Sequence, residues 1–341
     1  VFSTKPAKAL GDPKLWEKAE SMIESALKRS GATWRLSAGD GAFYAPKIDI
    51  IVRDALGRGI ERNTWLSDAA KAEAKAKLDK LKIEVGTPRR DLDYSVQPMG
   101  RGSFGGNMLI ASTWRHREEM KRIGKGNADR RWDVLPQQPA LAYDLAQNRL
   151  IVTAAVLQEE IFDAKQPAAV QYGAFGALVG HELSRGFDVK GRMVDAKGQL
   201  RDWWTPADVA AWNALGDKVV AQYNGYAFPV LKNVKVNGAL TRDENLADLA
   251  GVELAWDAFA SAEPQANAAA KQSFYKAWAT LWAQNLTDTE AAQRAAVDVH
   301  APGQWRANGP LTQQPSFAQA FACKAGQPMQ ANEAGQIRIW R

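Results

Sequence analysis

The chain has 341 residues, of which 46% are hydrophobic and 24% are charged, and its net charge is +6. This composition predicts one large or two ordinary folded domains and excludes collagen-like and disordered proteins. The longest purely apolar runs span only a few residues, so we expect no transmembrane segment. No basic-then-apolar leader opens the sequence, so we expect that a signal peptide is absent or already removed.

The counts of cysteine and histidine restrict the chemistry further. Cys323 is the one cysteine, and His116, His181 and His300 are the three histidines. A single cysteine excludes an internal disulfide and a zinc site built on cysteines. Metal binding or acid–base catalysis by histidine must therefore use one or more of these three side chains.

Positive charge is concentrated in the first part of the chain. Residues 1–130 contain 25 Lys and Arg against 17 Asp and Glu, whereas residues 131–341 contain 19 against 21. A basic half can indicate a nucleic-acid or acidic membrane partner. Here the basic residues alternate with acidic ones, as in residues 71–77, which favours a solvated helix surface. We therefore expect no nucleic-acid partner.

The first half of the chain predicts mixed secondary structure. Apolar residues recur at helical spacing over 11–30, turn residues cluster at 37–41, and apolar alternation predicts a strand over 47–53. Residues 67–82 are rich in Ala, Lys and Leu and predict a helix with Ser67 as its N-cap.

The second half is predicted to be mostly helical. The tail from Asp298 is rich in turn residues and is predicted to be irregular. The predicted elements before it are a helix over 108–123, a strand over 150–153, and helices over 171–186, 205–223, 243–260 and 268–286.

The most informative pentapeptide, His181-Glu-Leu-Ser-Arg185, lies on the helix predicted over 171–186. A zinc peptidase helix places two histidines at i and i+4 on one face, with a glutamate beside the first. The first histidine and the glutamate are present here, and the i+4 position is Arg185. On its own this pattern is weak evidence for a metal site.

Later residues strengthen the interpretation. Glu244 and Asp248 are separated by four residues on a predicted helix, so both carboxylates face the same way. One can bind a metal while the other orients a histidine. His300 and Arg306 add an imidazole and a guanidinium that could stabilise an oxyanion or hold a peptide carbonyl.

From about Asn63 to Arg341 the chain resembles the neprilysin-like zinc metallopeptidases, including their bacterial endopeptidase members. The resemblance rests on many blocks that occur in the family's order. The main ones are Tyr172-Gly-x-x-Gly-Ala-x-Val-Gly-His-Glu182, Gly186-Phe-Asp188, Asp202-Trp-Trp-Thr205, Glu244-Asn-Leu-Ala-Asp248, His300 with Arg306, Asn308-Gly-Pro-Leu311 and Phe317-x-x-x-Phe-x-Cys323.

The resemblance implies a role for each matching position. His181 and Glu244 correspond to zinc ligands, and Asp248 to the partner that orients a ligand. Glu182 corresponds to the general base that activates the zinc-bound water. His300 corresponds to the residue that stabilises the transition state, and Arg306 to a residue that binds a substrate carbonyl. The implied substrate is a peptide.

Departures from the family pattern bear on activity. The second histidine ligand is replaced by Arg185, whose guanidinium stays protonated and has no lone pair for a metal. The family's substrate-aligning Asn-Ala pair falls at Ala140-Leu141, and its second aspartate after Gly-Phe-Asp is Val189. We expect weak or absent zinc binding and impaired or absent hydrolysis. The alternative is a non-catalytic pseudopeptidase that binds peptides or acts as a scaffold.

Two further expectations concern single side chains. Arg185 could pair with Glu244, Glu182 or Asp248 and take the place of the zinc charge. His116 could in principle replace the missing ligand, but it lies in a charged helix and is expected at the surface.

Residues 2–59 resemble a different family, the threonyl-tRNA synthetases. The similar stretches are Phe2-Ser-Thr-Lys-Pro6, Gly39-Asp-Gly-Ala-Phe-Tyr-Ala-Pro-Lys-Ile-Asp49 and Asp54-Ala-Leu-Gly-Arg58. They correspond to an internal slice of the catalytic domain without its ATP-binding motifs, tRNA-binding regions or zinc ligands. Synthetase activity is therefore not expected, although an RNA-binding remnant is a remote alternative.

Together these observations predict an α+β fold that is mainly α-helical. Residues 61–341 are predicted to form a thermolysin-like zincin catalytic subdomain, and residues 1–60 a small α/β appendage fused to it as a chimera. Members of the peptidase family usually work outside the cytoplasm, but the sequence gives no compartment for this chain.

Overall fold

The computed structural model describes residues 2–3, 21, 24, 36–37, 48–88, 93–124, 132–158, 161–324, 326–331 and 335–340. The chain divides into two compact units, Val1–Ile50 and Ile51–Arg341. In the first unit, Phe2–Ser3 (β1) pairs in parallel with Leu36–Ser37 (β2). Most of the helix predicted over 11–30 and of the turn predicted over 37–41 lies outside the described residues.

The described part of the chain is mainly helical, as predicted. Its α-helices are α1 Ile48–Arg62, α2 Asp68–Asp79, α3 Phe104–Met120, α4 Ala168–Gln171, α5 Ala177–Ser184, α6 Pro206–Asn224, α7 Arg242–Ala262, α8 Ala268–Leu281, α9 Asp288–Val297, α10 Gly303–Thr312 and α11 Pro315–Ala320. No described helix is both long enough and apolar enough to cross a bilayer.

The strand predicted over 47–53 is wrong, because residues from Ile48 onward form α1. The short alternation of isoleucine and valine belongs to a longer helical pattern. Val52, Leu56 and Ile60 recur four residues apart, Ala55 lies three residues after Val52, and all four are fully buried. A continuous apolar helix face outweighs the strand preference of a short β-branched run. The helix also continues past the domain boundary predicted at residue 60.

A shared cap connects the start of α2 with the start of α6. Ser67 caps α2, as predicted, by accepting a hydrogen bond from Ala70 N–H. The Asp208 carboxylate accepts from the backbone N–H and hydroxyl of Ser67 and from the same two groups of Thr205, the N-cap of α6. One buried carboxylate therefore satisfies donors at two helix starts.

A three-stranded sheet forms one wall of the second unit. Its strands are β3 Lys82–Gly86, β4 Leu141–Asp144 and β5 Arg149–Thr153, in the order β3-β5-β4. The central strand β5 is parallel to β3 and antiparallel to β4. The prediction of a strand over 150–153 is confirmed, whereas β3 was not predicted. Among the described strands, β4 lies at an edge of the sheet.

The helix predicted over 171–186 is confirmed as a continuous helical segment. It begins with α4, passes through a π-helical turn at Tyr172–Gly176 and ends with α5. α5 crosses α7 at unusually close range, at a pair of glycines. A Cβ added to Gly180 would lie 2.9 Å from the Gly251 carbonyl oxygen, and one added to Gly251 would lie 2.5 Å from the Ala177 carbonyl oxygen. The absence of side chains at these two positions sets the distance between the helices.

The expectation of an irregular tail from Asp298 is only partly correct. α10 and α11 lie in this region, and Pro310 is accommodated inside α10. The end of the described chain is fixed by buried polar groups. The Asn63 side-chain amide donates to the Ile339 carbonyl, and the Glu253 carboxylate accepts from Ile339 N–H. Tertiary contacts therefore order a segment that its composition marks as irregular.

Candidate active site

A cavity of about 610 Å³ opens between β4, α5, α7 and the loop before α10. Six of the seven residues singled out in the sequence line it, and the seventh, Asp248, lies behind its wall. The six are His181, Glu182, Arg185, Glu244, His300 and Arg306. The structure therefore brings all the predicted site residues together.

His181 lies on α5 with its ring almost fully buried. Its Nδ1 is 2.7 Å from an Asp248 carboxylate oxygen on α7, which fixes the plane of the imidazole and directs Nε2 toward the cavity. Burial lowers the pKa of His181, but the Asp248 and Glu244 carboxylates outweigh burial and raise it to about 9. An Arg185 guanidinium nitrogen lies 3.2 Å from Nε2. This N–H donor favours an unprotonated Nε2 that can accept its hydrogen bond, and so opposes the rise in the pKa of His181.

Glu244 and Asp248 lie one turn apart near the start of α7, as their spacing predicted. A Glu244 carboxylate oxygen is 3.4 Å from His181 Nε2 and 3.3 Å from His300 Nε2. Burial raises the pKa of Glu244, but His181, His300 and Arg185 outweigh burial and hold it far below its usual value. Glu244 is therefore a carboxylate surrounded by nitrogen donors.

Arg306 makes contacts that the sequence did not reveal. Its Nε and Nη2 donate to both oxygens of Asp248 at 2.8 and 2.7 Å, and its guanidinium stacks 3.6 Å from the Trp282 ring. Burial raises the pKa of Asp248, but Arg306 and His181 lower it to about 2. Trp282 thus lines the cavity and supports Arg306.

Arg185 reaches between His181 and Glu244, the two residues that the sequence resemblance predicts as zinc ligands. It follows the last residue of α5 in helical geometry, one turn after His181. Its Nη2 donates a hydrogen bond to a Glu244 carboxylate oxygen and lies 3.2 Å from His181 Nε2. Its Nη1 lies 3.7 Å from Asp188. The expectation that Arg185 pairs with a carboxylate of this site agrees with the geometry, and Glu244 is the partner.

Glu182 faces the cavity from α5 beside His181. One of its carboxylate oxygens is 3.8 Å from His181 Nε2, and 22% of its side chain is exposed. Burial raises the pKa of Glu182, and the neighbouring Glu244 adds to the rise, while His181, Arg185 and the Tyr143 backbone N–H oppose it. A raised pKa suits a carboxylate that exchanges protons near neutral pH.

His300 lines the cavity and is partly exposed. Its Nδ1 is 3.1 Å from an Asp298 carboxylate oxygen, while its Nε2 points at Glu244, and 42% of its side chain is exposed. The Asp298 contact orients the ring in the same way that Asp248 orients His181.

The departures noted in the sequence have visible consequences at the cavity wall. Ala140, which the sequence resemblance predicts to replace the family's asparagine, lines the cavity just before β4 with no side-chain amide to offer a ligand. Lys190 lines the same wall and was not predicted. His116 is exposed on α3 and does not line this cavity, as expected of a surface residue.

The residues present do not fit zinc. His181 Nε2 and the Glu244 oxygen lie 3.4 Å apart, a separation that two ligands of a tetrahedral zinc can have at 2.0–2.2 Å each. The guanidinium of Arg185, however, is in hydrogen-bond contact with both atoms and supplies no lone pair. Across the described parts of the chain, no group of three or more His, Cys, Asp or Glu side chains is arranged to hold a metal ion.

Comparison with known proteins gives the cavity a family context. The model of peptidase family M13 matches residues 142–337, more than half of the chain. Neprilysin-3 of Drosophila melanogaster is 26% identical over 306 residues, which are 85% of this chain and 38% of that protein. Neprilysin-1 of Caenorhabditis elegans is 28% identical over 91% of this chain and 45% of its own length. The chain thus spans about two fifths of the length of these relatives.

Solved structures agree with this context. The zinc metalloprotease Zmp1 of Mycobacterium tuberculosis, solved with an inhibitor, superposes with a TM-score of 0.79 at 27% identity and covers 98% of this chain and 52% of that one. PepO of Lactobacillus rhamnosis gives a TM-score of 0.73 at 29% identity, over 86% of this chain and 46% of that one. The prediction of a mainly helical zincin fold is confirmed.

Proposed function

Since the chain belongs to peptidase family M13, the neprilysin family of metallopeptidases, we propose that it is a peptide-binding module whose zinc-dependent hydrolysis is impaired or absent. The observation that carries the proposal is the position of Arg185, which fills the space between His181 and Glu244 in an otherwise well-formed cavity. Zinc in this family would supply a polarised water for attack on the peptide bond. We derive no hydrolytic step through zinc in this chain, because the guanidinium of Arg185 engages the atoms of His181 and Glu244 that would bind the metal.

The remaining groups can bind a peptide carbonyl. Arg306 uses Nε and Nη2 on Asp248, so Nη1 is its nitrogen without a hydrogen bond to a described residue. The partly exposed His300 ring lies on the same side of the cavity. A carbonyl oxygen held between these two groups would accept a hydrogen bond from the fixed guanidinium, and a second one from His300 Nε2 once that nitrogen leaves Glu244.

The edge strand supplies a second set of contacts. β4 pairs with β5 on one side only among the described strands, and its Leu141 and Tyr143 line the cavity. An extended peptide laid beside such an edge can form main-chain hydrogen bonds without a particular side-chain sequence. Binding would therefore be broad, and weaker than in relatives that retain an asparagine at the position of Ala140.

A peptide digest of casein provides an unbiased probe of both halves of the proposal. We would incubate it with the unmodified chain in the presence of zinc, measure new peptide termini by mass spectrometry, and measure retained peptides by ultrafiltration. The expected result is retention without cleavage above that of Glu182→Gln, the variant that lacks the candidate base. If the unmodified chain cleaves peptides, and a chelator or Glu182→Gln abolishes the cleavage, the chain is a working peptidase and the hypothesis of impaired hydrolysis is refuted.

Two variants test whether the retained peptides occupy this cavity. Ala140→Phe should reduce retention because the ring fills the wall beside β4. Ala221→Phe adds the same ring at an exposed position of α6 and should leave retention unchanged. Equal retention by both folded variants, checked by circular dichroism, or no retention by the unmodified chain, would contradict binding here.

The first 60 residues carry a separate proposal. We propose that they derive from a threonyl-tRNA synthetase and play no part in tRNA charging. The support is the sequence resemblance alone. Tight RNA binding that weakens steeply with salt would instead favour a retained nucleic-acid role.

A further inference from the structure

Arg185 is held in the cavity from several sides. Its position after α5 keeps it on the helix face of His181, and only 17% of its side chain is exposed. Its guanidinium contacts Glu244 on α7, approaches Asp188 in the loop after α5 and touches the ring nitrogen of His181. Contacts of this kind fix a planar guanidinium in one orientation.

The charges around Arg185 explain why a cation is needed there. Glu182, Asp188 and Glu244 all line the same cavity. The neighbouring Arg306 is already engaged by both oxygens of Asp248. Lys190, which also lines the cavity, is exposed and makes no ion pair with a described residue. Arg185 is therefore the permanent cation in direct contact with Glu244 among the described residues.

We propose that Arg185 is a resident cation that takes the position of the metal, excludes zinc from this centre and joins α5 to α7 without one. The inference rests on the proposed function for the assignment of His181 and Glu244 as ligand positions. It does not depend on whether a peptide binds.

Exclusion follows from competition for the same two atoms. Zinc would have to contact His181 Nε2 and the Glu244 carboxylate at once, and both are in contact with Arg185 Nη2. A guanidinium is a cation with five N–H donors and no lone pair for a metal. Zinc can therefore enter only if Arg185 leaves Glu244. Because Arg185 would still lie near the bound dication, repulsion between the two positive charges further weakens zinc binding.

An arginine in place of a histidine at position 185 has two separate effects on zinc binding: it adds a competing cation and it removes a ligand. Arg185→Met removes the competing cation but adds no ligand, so zinc should bind more tightly than to the unmodified chain. Arg185→His removes the cation and adds a nitrogen donor at i+4 from His181, so the gain should be larger. Arg117→His is the matched control, because it places a new histidine at an exposed position of α3.

Zinc affinity is measured by competition with a chromophoric chelator, and retained zinc by elemental analysis after dialysis. We expect less than a tenth of an equivalent retained by the unmodified chain and by Arg117→His, and one equivalent by Arg185→His. Loss of one metal-supporting group commonly costs 10- to 100-fold in affinity, so Arg185→His should bind zinc at least 100-fold more tightly than the unmodified chain. Thermal unfolding should shift upward with zinc only in the variants that bind it.

Three outcomes would overturn the proposal. They are stoichiometric zinc in the unmodified chain, a folded Arg185→His variant with no gain in affinity, and Arg185→Met that binds no better than the unmodified chain. If Arg185→His fails to fold, the comparison of Arg185→Met with the unmodified chain decides alone. These measurements use zinc without peptide, so a failure of peptide binding leaves them unaffected.

Discussion

Arg185 and Glu244 form an ion pair that joins the end of α5 to the start of α7, and Glu244 also faces the ring nitrogens of His181 and His300. In the family pattern, these two positions would contact each other through zinc. In this chain the contact is direct, because one member of the pair is itself a cation. The loss of hydrolytic chemistry through this substitution is part of the function that we propose.

Asp248 is expected to be the most sensitive carboxylate of the site. It is fully buried and accepts from His181 and twice from Arg306, so Asp248→Asn leaves a buried guanidinium without its counter-charge. Removing one partner of a buried ion pair costs about 3–5 kcal/mol. Urea unfolding should show a loss of this size, whereas Asp217→Asn, at an exposed position of α6, should change little. A loss below about 1 kcal/mol would contradict the buried pairing.

The close crossing of α5 and α7 gives a second prediction. Gly251→Ala places a Cβ 2.5 Å from the Ala177 carbonyl oxygen, so the two helices must move apart. Overpacking of this kind costs about 1–3 kcal/mol. We expect that loss in unfolding experiments, together with altered NMR shifts for the His181 ring. Gly105→Ala, which meets nothing within 4 Å on α3, should not reduce stability, and equal behaviour of the two variants would refute the account.

The sequence predicted which residues share a helix face better than it predicted how the helices pack. The helical spacing of His181 with Arg185 and of Glu244 with Asp248 fixed which side chains face one another. The resemblance to a family supplied which helices meet. The stacking of Trp282 on Arg306 and the close approach of Gly180 to Gly251 depend on tertiary packing, and no local pattern encodes them.

The wrong predictions have the same origin. The alternation around Ile48 and Val52 is compatible with a strand over a few residues, and only the longer series of buried residues reveals α1. The tail after Asp298 contains helices because contacts with the rest of the unit stabilise segments whose composition disfavours them.

Lys77 provides a prediction about pH. Its ammonium is buried, donates to the Gly191 and Val194 carbonyls and lies about 6 Å from the Phe187 and Trp203 rings. Burial lowers the pKa of Lys77 from 10.5 to about 8, although Asp188 and Asp195 oppose the shift. Between these two pH values the unfolded chain binds more protons than the folded chain, so the free energy of unfolding rises with pH.

Lys77→Met removes this titration. Relative to that variant, the unmodified chain should gain up to about 3 kcal/mol of stability between pH 8 and 10.5, since one pKa unit corresponds to about 1.4 kcal/mol. Urea unfolding across this range measures the difference. Lys80→Met, at an exposed position, should follow the unmodified chain. A parallel pH profile for Lys77→Met would mean that the buried amine keeps its ordinary pKa.

The central claim is that the side chain of Arg185 occupies the place of a metal ion. Anomalous diffraction at the zinc absorption edge, from crystals of the unmodified chain grown with excess zinc, tests it most directly. The account predicts no anomalous peak between His181 Nε2 and Glu244, with Arg185 still paired to that carboxylate. A peak coordinated by His181 and Glu244, with Arg185 displaced from the cavity, would contradict it.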